Sequence, residues 1–278
     1  MIFSKKSLAV LFIISILVLI PIFSYAMVTE PTDSIWLTQA DFDEAYELDG
    51  FETEKGIRYS SSSWTYYMPA GNFTMSGDIE LSDSDGDANF LEFTEGECVV
   101  NLNDSTVKAI LYVQSDDQAV DLTLNGDGTI IGDVACYGNA SVIINGGIYE
   151  GTFWSQYGAT FTINDCRLAY FPDNYEEGDY QSAGIMVSDD ASLIVNGGTF
   201  LSGGFSVIYA DDMFDTGATL IEINGGTFKG SECAAVIQEC DEIIISSGEF
   251  VGKGMVGIDF EDFATLTISG GTFEGPMS

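Results

Sequence analysis

The residues of this sequence that are best suited to bind a metal ion are carboxylates in pairs at short polar turns. The turns contain Asp116-Asp117, Asp189-Asp190, Asp211-Asp212 with Asp215, Glu239 with Asp241, and Glu261-Asp262. Carboxylate oxygens are ligands that Ca²⁺ prefers, and like charges held close together repel unless water, salt or a cation separates them. The pattern predicts either bound Ca²⁺ or a solvated acidic edge that blocks aggregation.

A further acidic segment reads Asp83-Ser84-Asp85-Gly86-Asp87. Alternate carboxylates such as Asp83, Asp85 and Asp87 can converge on one cation. An EF-hand would need glycine and glutamate where this chain has Ala88 and Thr94. We therefore expect either a cation-binding acidic turn of another kind or a solvated loop.

A third candidate site consists of aromatic residues around an insertion at 169–180. Its candidate ligand-binding residues are Trp154, Tyr157, Tyr170, Tyr175 and Tyr180. Aromatic rings offer flat apolar faces for sugar rings, and nearby carboxylates and amides can accept or donate hydrogen bonds to hydroxyl groups. The segment predicts a glycan-binding surface. The alternative is that Trp154 fills the core and the insertion shields it.

Catalytic residues are harder to assign. The sequence contains no histidine, which excludes Ser-His and Cys-His nucleophiles. Glycoside hydrolysis needs two carboxylates at a set separation, but with 44 acidic residues a pair in the sequence has little meaning.

A repeated turn must position all of these residues. It reads Ile223-Asn224-Gly225-Gly226-Thr227-Phe228 and recurs around Asn145, Asn196 and Ser269. Short apolar runs with alternation precede each copy and indicate strands. Asparagine tolerates a left-handed backbone and the glycine pair permits a sharp bend, so the chain turns a corner without a helix. Such repeats are typical of a solenoid.

The repeat predicts an all-β solenoid over residues 65–278, with three short strands in each coil. Each strand would pair in parallel with its equivalents in neighbouring coils. Equivalent corners would then stack, so the acidic turns form one edge. We also expect one buried aromatic column, formed by Phe153, Phe200, Phe228, Phe250 and Phe273.

The repeated Ile-Asn-Gly-Gly-Thr-Phe and the run 125–130 (Asn-Gly-Asp-Gly-Thr-Ile) resemble secreted right-handed parallel β-helix proteins of the pectin-lyase-like superfamily. That superfamily includes pectate lyases, polygalacturonases, phage tailspikes and surface proteins without known catalysis. The resemblance implies that a lyase would use an Arg or Lys base near acid-bound Ca²⁺, and Arg167, with Asp165 and Asp173 near it, is the candidate. The polygalacturonase chemistry implied by the family uses a histidine, which is absent.

The two ends of the chain carry further signals. Residues 1–26 contain Lys5-Lys6, an apolar run at 8–22 and a small-residue end at Ala26, which predict a cleaved secretory signal. Residues 27–64 would form a leader and, after Thr38, a short helix that caps the first coil. At the other end the sequence stops within a coil, so we expect either that the solenoid is truncated there, which we favour, or that its end docks against a partner.

The charge of the chain limits the partners that it can bind. Cleavage after Ala26 would leave six basic residues against 44 acidic ones. We therefore expect no nucleic acid partner, no anionic membrane, and no uronate polymer unless a divalent cation bridges it. The mature chain contains no second apolar segment long enough to span a membrane.

The sequence contains five cysteines: Cys98, Cys136, Cys166, Cys233 and Cys240. The odd count leaves at least one unpaired, and their spacings form no metal-ligand cluster, so we expect most of them to be buried apolar residues.

Together these patterns predict a secreted or cell-surface β-solenoid with a structural or adhesive role, which binds Ca²⁺ and an extracellular glycan or another surface protein. The alternative is a Ca²⁺-dependent polysaccharide lyase or an inactive relative of one. The absence of a histidine and the scarcity of cationic side chains make the enzyme the less favoured of the two.

Overall fold

The protein is a parallel β-solenoid in a computed structural model that describes residues 34–82, 88–172, 182–211, 216–253 and 257–275. The strands of each coil lie on three sheets, which we number 1 to 3. This arrangement confirms the predicted all-β fold with three strands in each coil.

Sheet 1 has nine parallel strands and follows the Asn-Gly-Gly corners. Its strands are β5 (Ile79–Glu80), β8 (Thr106–Lys108), β10 (Thr129–Ile131), β12 (Ile148–Glu150), β15 (Arg167–Tyr170), β18 (Thr199–Ser202), β21 (Thr227–Gly230), β24 (Glu249–Gly252) and β27 (Thr272–Glu274).

Sheet 2 comes next along each coil. Its strands are β2 (Arg58–Ser60), β3 (Thr65–Met68), β6 (Phe90–Phe93), the first parts of β9 (Ile110–Asn125) and β11 (Val134–Ile144), β13 (Phe153–Gln156), β16 (Ala183–Val187), β19 (Ser206–Ala210), β22 (Ala235–Ile237) and β25 (Ile258–Phe260). They pair in parallel except β2, which pairs antiparallel with β3.

Sheet 3 completes the coil and leads to the next corner. Its strands are β1 (Ile35–Leu37), β4 (Gly71–Met75), β7 (Gly96–Asn101), the second parts of β9 and β11, β14 (Thr160–Ile163), β17 (Ser192–Val195), β20 (Ala218–Ile223), β23 (Cys240–Ile245) and β26 (Phe263–Ile268). Because β9 and β11 continue from sheet 2 into sheet 3, the two sheets are joined through them.

The corners between sheets 3 and 1 stack as the repeat predicts. Asparagine side chains at the corners form an amide row in which each Nδ2 donates to the previous Oδ1 over 2.7–3.3 Å, through Asn101, Asn125, Asn145, Asn164, Asn196 and Asn224. The second glycine of the corner is left-handed, with φ +104° at Gly226, and a Cβ at Gly225 would lie 2.7 Å from the Asn196 carbonyl oxygen. Glycine is therefore required at both positions.

The interior contains the predicted aromatic column, but one of the five predicted residues does not belong to it. Phe200, Phe228, Phe250 and Phe273 stack with ring centroids 4.8–5.1 Å apart and planes within 9° of parallel. The column continues through Leu168 and Tyr149, which lie in register on sheet 1.

Phe153 does not belong to this column, so that prediction was wrong. It lies on sheet 2, where its ring meets that of Tyr149 edge to face at 5.1 Å and stacks on Phe161 at 5.1 Å. The physical reason is that Tyr149, just after the corner, already occupies the column position of this coil.

Three elements cover the first coil. Strand β1 pairs with β4, β2 pairs with β3, and helix α1 (Gln39–Leu48) buries Phe42 against Tyr66. The Gln39 side chain also exchanges hydrogen bonds with the Glu80 backbone on β5. The predicted helix therefore caps the solenoid, whereas residues 35–36, which we expected in an irregular leader, lie in β1.

The last described coil has no such cover among the described residues. Phe263, Ile268 and Phe273 there are 40%, 47% and 43% exposed, although the same positions are buried in earlier coils. At 276–278 the chain lies outside the described residues. The buried core thus runs from the cap to the coil before this one.

All five cysteines are free and buried, as the odd count suggested. Burial raises the pKa of each thiol, to about 12 for Cys136 and about 11 for Cys240. The thiols therefore serve as apolar packing groups in this fold.

Candidate glycan-binding site

Four aromatic side chains follow one another along the outer side of sheet 2, and we call them the aromatic row: Phe90, Tyr112, Tyr137 and Tyr157. Their ring centroids are 6.1 Å, 4.9 Å and 6.3 Å apart in that order. Phe90 is 36% and Tyr157 53% exposed, and the two central tyrosines are half-buried. Tyr112 and Tyr137 overlap with their planes 32° apart, so one face of each ring is covered by the other and the remaining ring surface borders the solvent.

Strand alternation explains why these rings face outward. On β9, Leu111 and Val113 point into the core, so Tyr112 between them points out. On β11 the buried Cys136 precedes Tyr137 in the same way. Tyr157 lies in the turn after β13 with a left-handed backbone, φ +56°, and this turn brings its ring alongside Tyr137.

Of the three predicted glycan-binding residues that the structure describes, only Tyr157 lies in the aromatic row. Trp154 is half-buried and packs against a second apolar cluster, formed by Ala183, Met186, Phe205, Tyr209, Cys233 and Val236. Trp154 and Met186 are paired across strands β13 and β16, on the side opposite to the core residues Phe153 and Ile185. Trp154 therefore neither fills the main core nor stands free in solvent.

Tyr170 is not brought to the row. Tyr170 lies on β15 of sheet 1, where its hydroxyl is 3.4 Å from the Ser182 hydroxyl. Tyr175 and Tyr180 lie outside the described residues. Sequence reasoning missed Phe90, Tyr112 and Tyr137, although their outward positions in alternating strands were a signal that could have found them.

Carboxylates flank the row. Glu92 on β6 is in register with Tyr112 on β9. Asp133 Oδ1 accepts a hydrogen bond from the Thr152 backbone at 2.7 Å. Burial raises the pKa of both carboxyl groups, and Arg58 partly offsets this for Glu92. The row is therefore bordered by carboxyl groups that burial makes harder to ionise.

The hydroxyl group of Tyr137 remains protonated at neutral pH. Burial, with smaller contributions from Tyr112 and Asp133, raises the pKa of Tyr137 to about 12. A protonated phenol can both donate and accept a hydrogen bond. The row therefore combines apolar ring surface with a neutral hydroxyl group. A sugar has apolar C–H groups and hydroxyl groups that can contact both.

The acidic turns between sheets 2 and 3 also stack. The backbone N–H groups of Asp189 and Asp190 donate to Thr216 and Gly217, and Ala218 donates to Glu239, over 2.7–3.0 Å. A groove of about 440 Å³ on this edge is lined by Asp190, Glu239, Asp241 and Asp262 among others.

Among the described residues, the carboxyl groups of this edge do not meet as a ligand set. Asp189 is buried and accepts a hydrogen bond from the Ser188 hydroxyl at 2.9 Å, and Asp211 accepts one from Tyr209 at 2.5 Å. Asp117 is exposed at the bend of β9. Within the described ranges, no group of three or more acidic, cysteine or histidine residues is placed to hold a metal ion.

Several predicted metal-binding residues lie outside the described part of the chain. They are Asp83, Asp85, Asp87, Asp212 and the side chain of Asp116.

The lyase candidate Arg167 is exposed on β15 of sheet 1, in register with Thr199 on β18. Asp165 is at the preceding corner, and Asp173 lies outside the described residues. The aromatic row is on sheet 2, so the proposed base and the row lie on different sheets of the coil.

Comparisons with known proteins found no matching family model, no similar curated protein and no similar solved structure. Of what the motif resemblance to pectin-lyase-like proteins implies, the structure shows the parallel solenoid. Over the described residues, no helix combines the length and the apolar character needed to cross a membrane.

Proposed function

We propose that this protein is a secreted or cell-surface β-solenoid that binds an extracellular glycan along the aromatic row and has a structural or adhesive role. The observation that carries the proposal is the run of four outward rings at spacings of 4.9–6.3 Å. An extended chain of sugars can lie along the parts of these rings that their neighbours leave uncovered. The predicted N-terminal signal sequence supports export.

The rigidity of the support favours binding. Tyr112 and Tyr137 lie on β9 and β11, which pair with each other over ten residue positions from Leu111–Val134 to Leu124–Ile144. A preformed surface loses little conformational entropy when it orders a ligand. The row is therefore suited to hold a flexible polysaccharide without rearrangement of the protein.

We also propose that divalent cations, above all Ca²⁺, bind at the acidic edge. The groove there is lined by Asp190, Glu239, Asp241 and Asp262. The support is electrostatic: stacked carboxylates repel one another, and a bound cation would offset this repulsion. In this function the cation stiffens the solenoid and leaves the aromatic row free for the glycan.

The test is a glycan array with the mature chain, followed by titration of the best oligosaccharide. Tyr137→Ala and Tyr157→Ala should each weaken binding by about fivefold, since a ring contact contributes about 1 kcal/mol. Tyr46→Ala is the matched control, because Tyr46 is 55% exposed on helix α1. Binding that is lost equally in Tyr46→Ala, or unchanged in both row variants, would contradict the proposal.

A further inference from the structure

A carboxylate lies between two phenol rings at the start of the aromatic row. Tyr67, Glu92 and Tyr112 occupy the same register position on adjacent strands β3, β6 and β9. Neighbouring parallel strands are about 4.8 Å apart, so the three side chains project side by side from the outer face of sheet 2. Ring, carboxylate and ring therefore alternate across β3, β6 and β9, with Tyr112 as the member that belongs to the row.

The side chain of Arg58 lies against the first of these two rings. The guanidinium carbon of Arg58 is 4.6 Å from the centroid of the Tyr67 ring. Its charge also acts on Glu92, whose pKa it lowers against the effect of burial. Arg58 thus occupies the Tyr67 side of Glu92, and the Tyr112 side is the one at which a ligand cation would have to bind.

Negative charge continues along the row. Asp133 lies close enough to Tyr137 to contribute to the raised pKa of that phenol. Where β9 bends out of sheet 2, a groove of about 310 Å³ is lined by Glu95 and Asp117, with Thr94, Ser115 and Gln118. None of the side chains that line this groove is cationic. The surroundings of the row are therefore complementary to a ligand with positive charge.

We propose that the glycan bound by the aromatic row carries free amino groups, as in an oligomer of glucosamine. An ammonium group would lie against the face of Tyr112 and pair with Glu92, while the sugar rings stack along Tyr137 and Tyr157. This inference rests on the proposed function and adds the chemical class of the ligand. It predicts that acetylation of the amine weakens binding and that uronate polymers do not bind.

The test compares three hexasaccharides by calorimetry at neutral pH: glucosamine, N-acetylglucosamine and galacturonate. The glucosamine oligomer should bind tightest. Glu92→Gln removes the charge and keeps the shape, so it should weaken glucosamine binding by about fivefold and leave N-acetylglucosamine binding unchanged. Tyr112→Leu should also weaken glucosamine binding, although it does not change the net charge.

Two controls separate specific recognition from general attraction to an acidic protein. Glu150→Gln removes an exposed charge on β12 of sheet 1, away from the row, and should have no effect. Thermal denaturation of each variant checks that it is folded. If Glu150→Gln matches Glu92→Gln, or Tyr112→Leu binds like the parent, the inference is overturned.

The remaining outcomes distinguish the two proposals. Equal or tighter binding of N-acetylglucosamine, still dependent on Tyr137 and Tyr157, would overturn the requirement for an amine and leave glycan binding in place. Preference for galacturonate would overturn it in the same way. Failure of every glycan on the array and of all three oligomers to bind would contradict both proposals.

Discussion

At the scale of single residues, Asp133 shows how burial beside the aromatic row affects stability. Its Oδ1 accepts the Thr152 N–H, yet burial raises the pKa of this carboxyl group above its ordinary 3.8. A raised pKa means that the folded protein binds a proton more tightly than the unfolded chain does. The charged form therefore lowers the free energy of unfolding at neutral pH.

We expect Asp133→Asn to raise the free energy of unfolding at pH 7 by on the order of 1 kcal/mol, because asparagine keeps the acceptor oxygen and removes the charge. The gain should shrink as the pH falls through the raised pKa and vanish below about 3.8. Urea denaturation across this pH range measures it. Asp165→Asn, at an exposed corner, controls for the general effect of one charge less. A gain that does not depend on pH, or that Asp165→Asn reproduces, would contradict the assignment.

At the scale of elements, the aromatic column links the coils. Phe228 is fully buried with a ring stacked on each side, whereas Phe273 ends the column and is 43% exposed. Phe228→Ala should lower the free energy of unfolding by about 3–5 kcal/mol, since it removes a large core side chain. Phe273→Ala should cost much less. Chemical denaturation compares the two, and equal losses would show that the column does not stabilise the coils as described.

The sequence was sufficient to predict these elements where local chemistry repeats. Asn224-Gly225-Gly226 and its copies identify corners because few residues tolerate that backbone, and the corners determine the strands between them. The error at Phe153 has the same origin. Thr152-Phe153 looks like Thr199-Phe200, but it follows no corner. The corner at Asn145-Gly146-Gly147 places Tyr149 at the position equivalent to Phe200.

The aromatic row could not be predicted in the same way. Its rings meet across coils of unequal length, and the pairing of β9 with β11 shifts register between Gly138 and Ala140. That irregularity is not visible in the repeat, so the neighbours of Tyr137 depend on tertiary structure. Sequence reasoning therefore identified Tyr157 but chose Trp154 and Tyr170 as its partners.

At the scale of the whole molecule, charge dominates. The chain has a formal net charge of −36, and acidic turns stack along one edge. Self-repulsion lowers the stability of a compact state, and salt screens it. Sodium chloride should therefore raise the melting temperature.

Calcium should raise it further at matched ionic strength, because binding to the folded state alone adds about 2.7 kcal/mol at a hundredfold excess over Kd. Asp190→Asn combined with Asp262→Asn should reduce this extra shift, while Asp165→Asn should not. Differential scanning calorimetry in sodium and calcium chloride makes the comparison. Identical melting temperatures in the two salts, with no heat on titration of Ca²⁺, would rule out the cation at this edge.

The measurement that tests the central claim most directly is a crystal structure of the mature chain with the oligosaccharide that binds best on the array. We expect sugar rings to lie along Tyr112, Tyr137 and Tyr157 on the outer face of sheet 2. Density for the sugar elsewhere, for example beside Arg167 on sheet 1, with the three tyrosine faces bare, would contradict it.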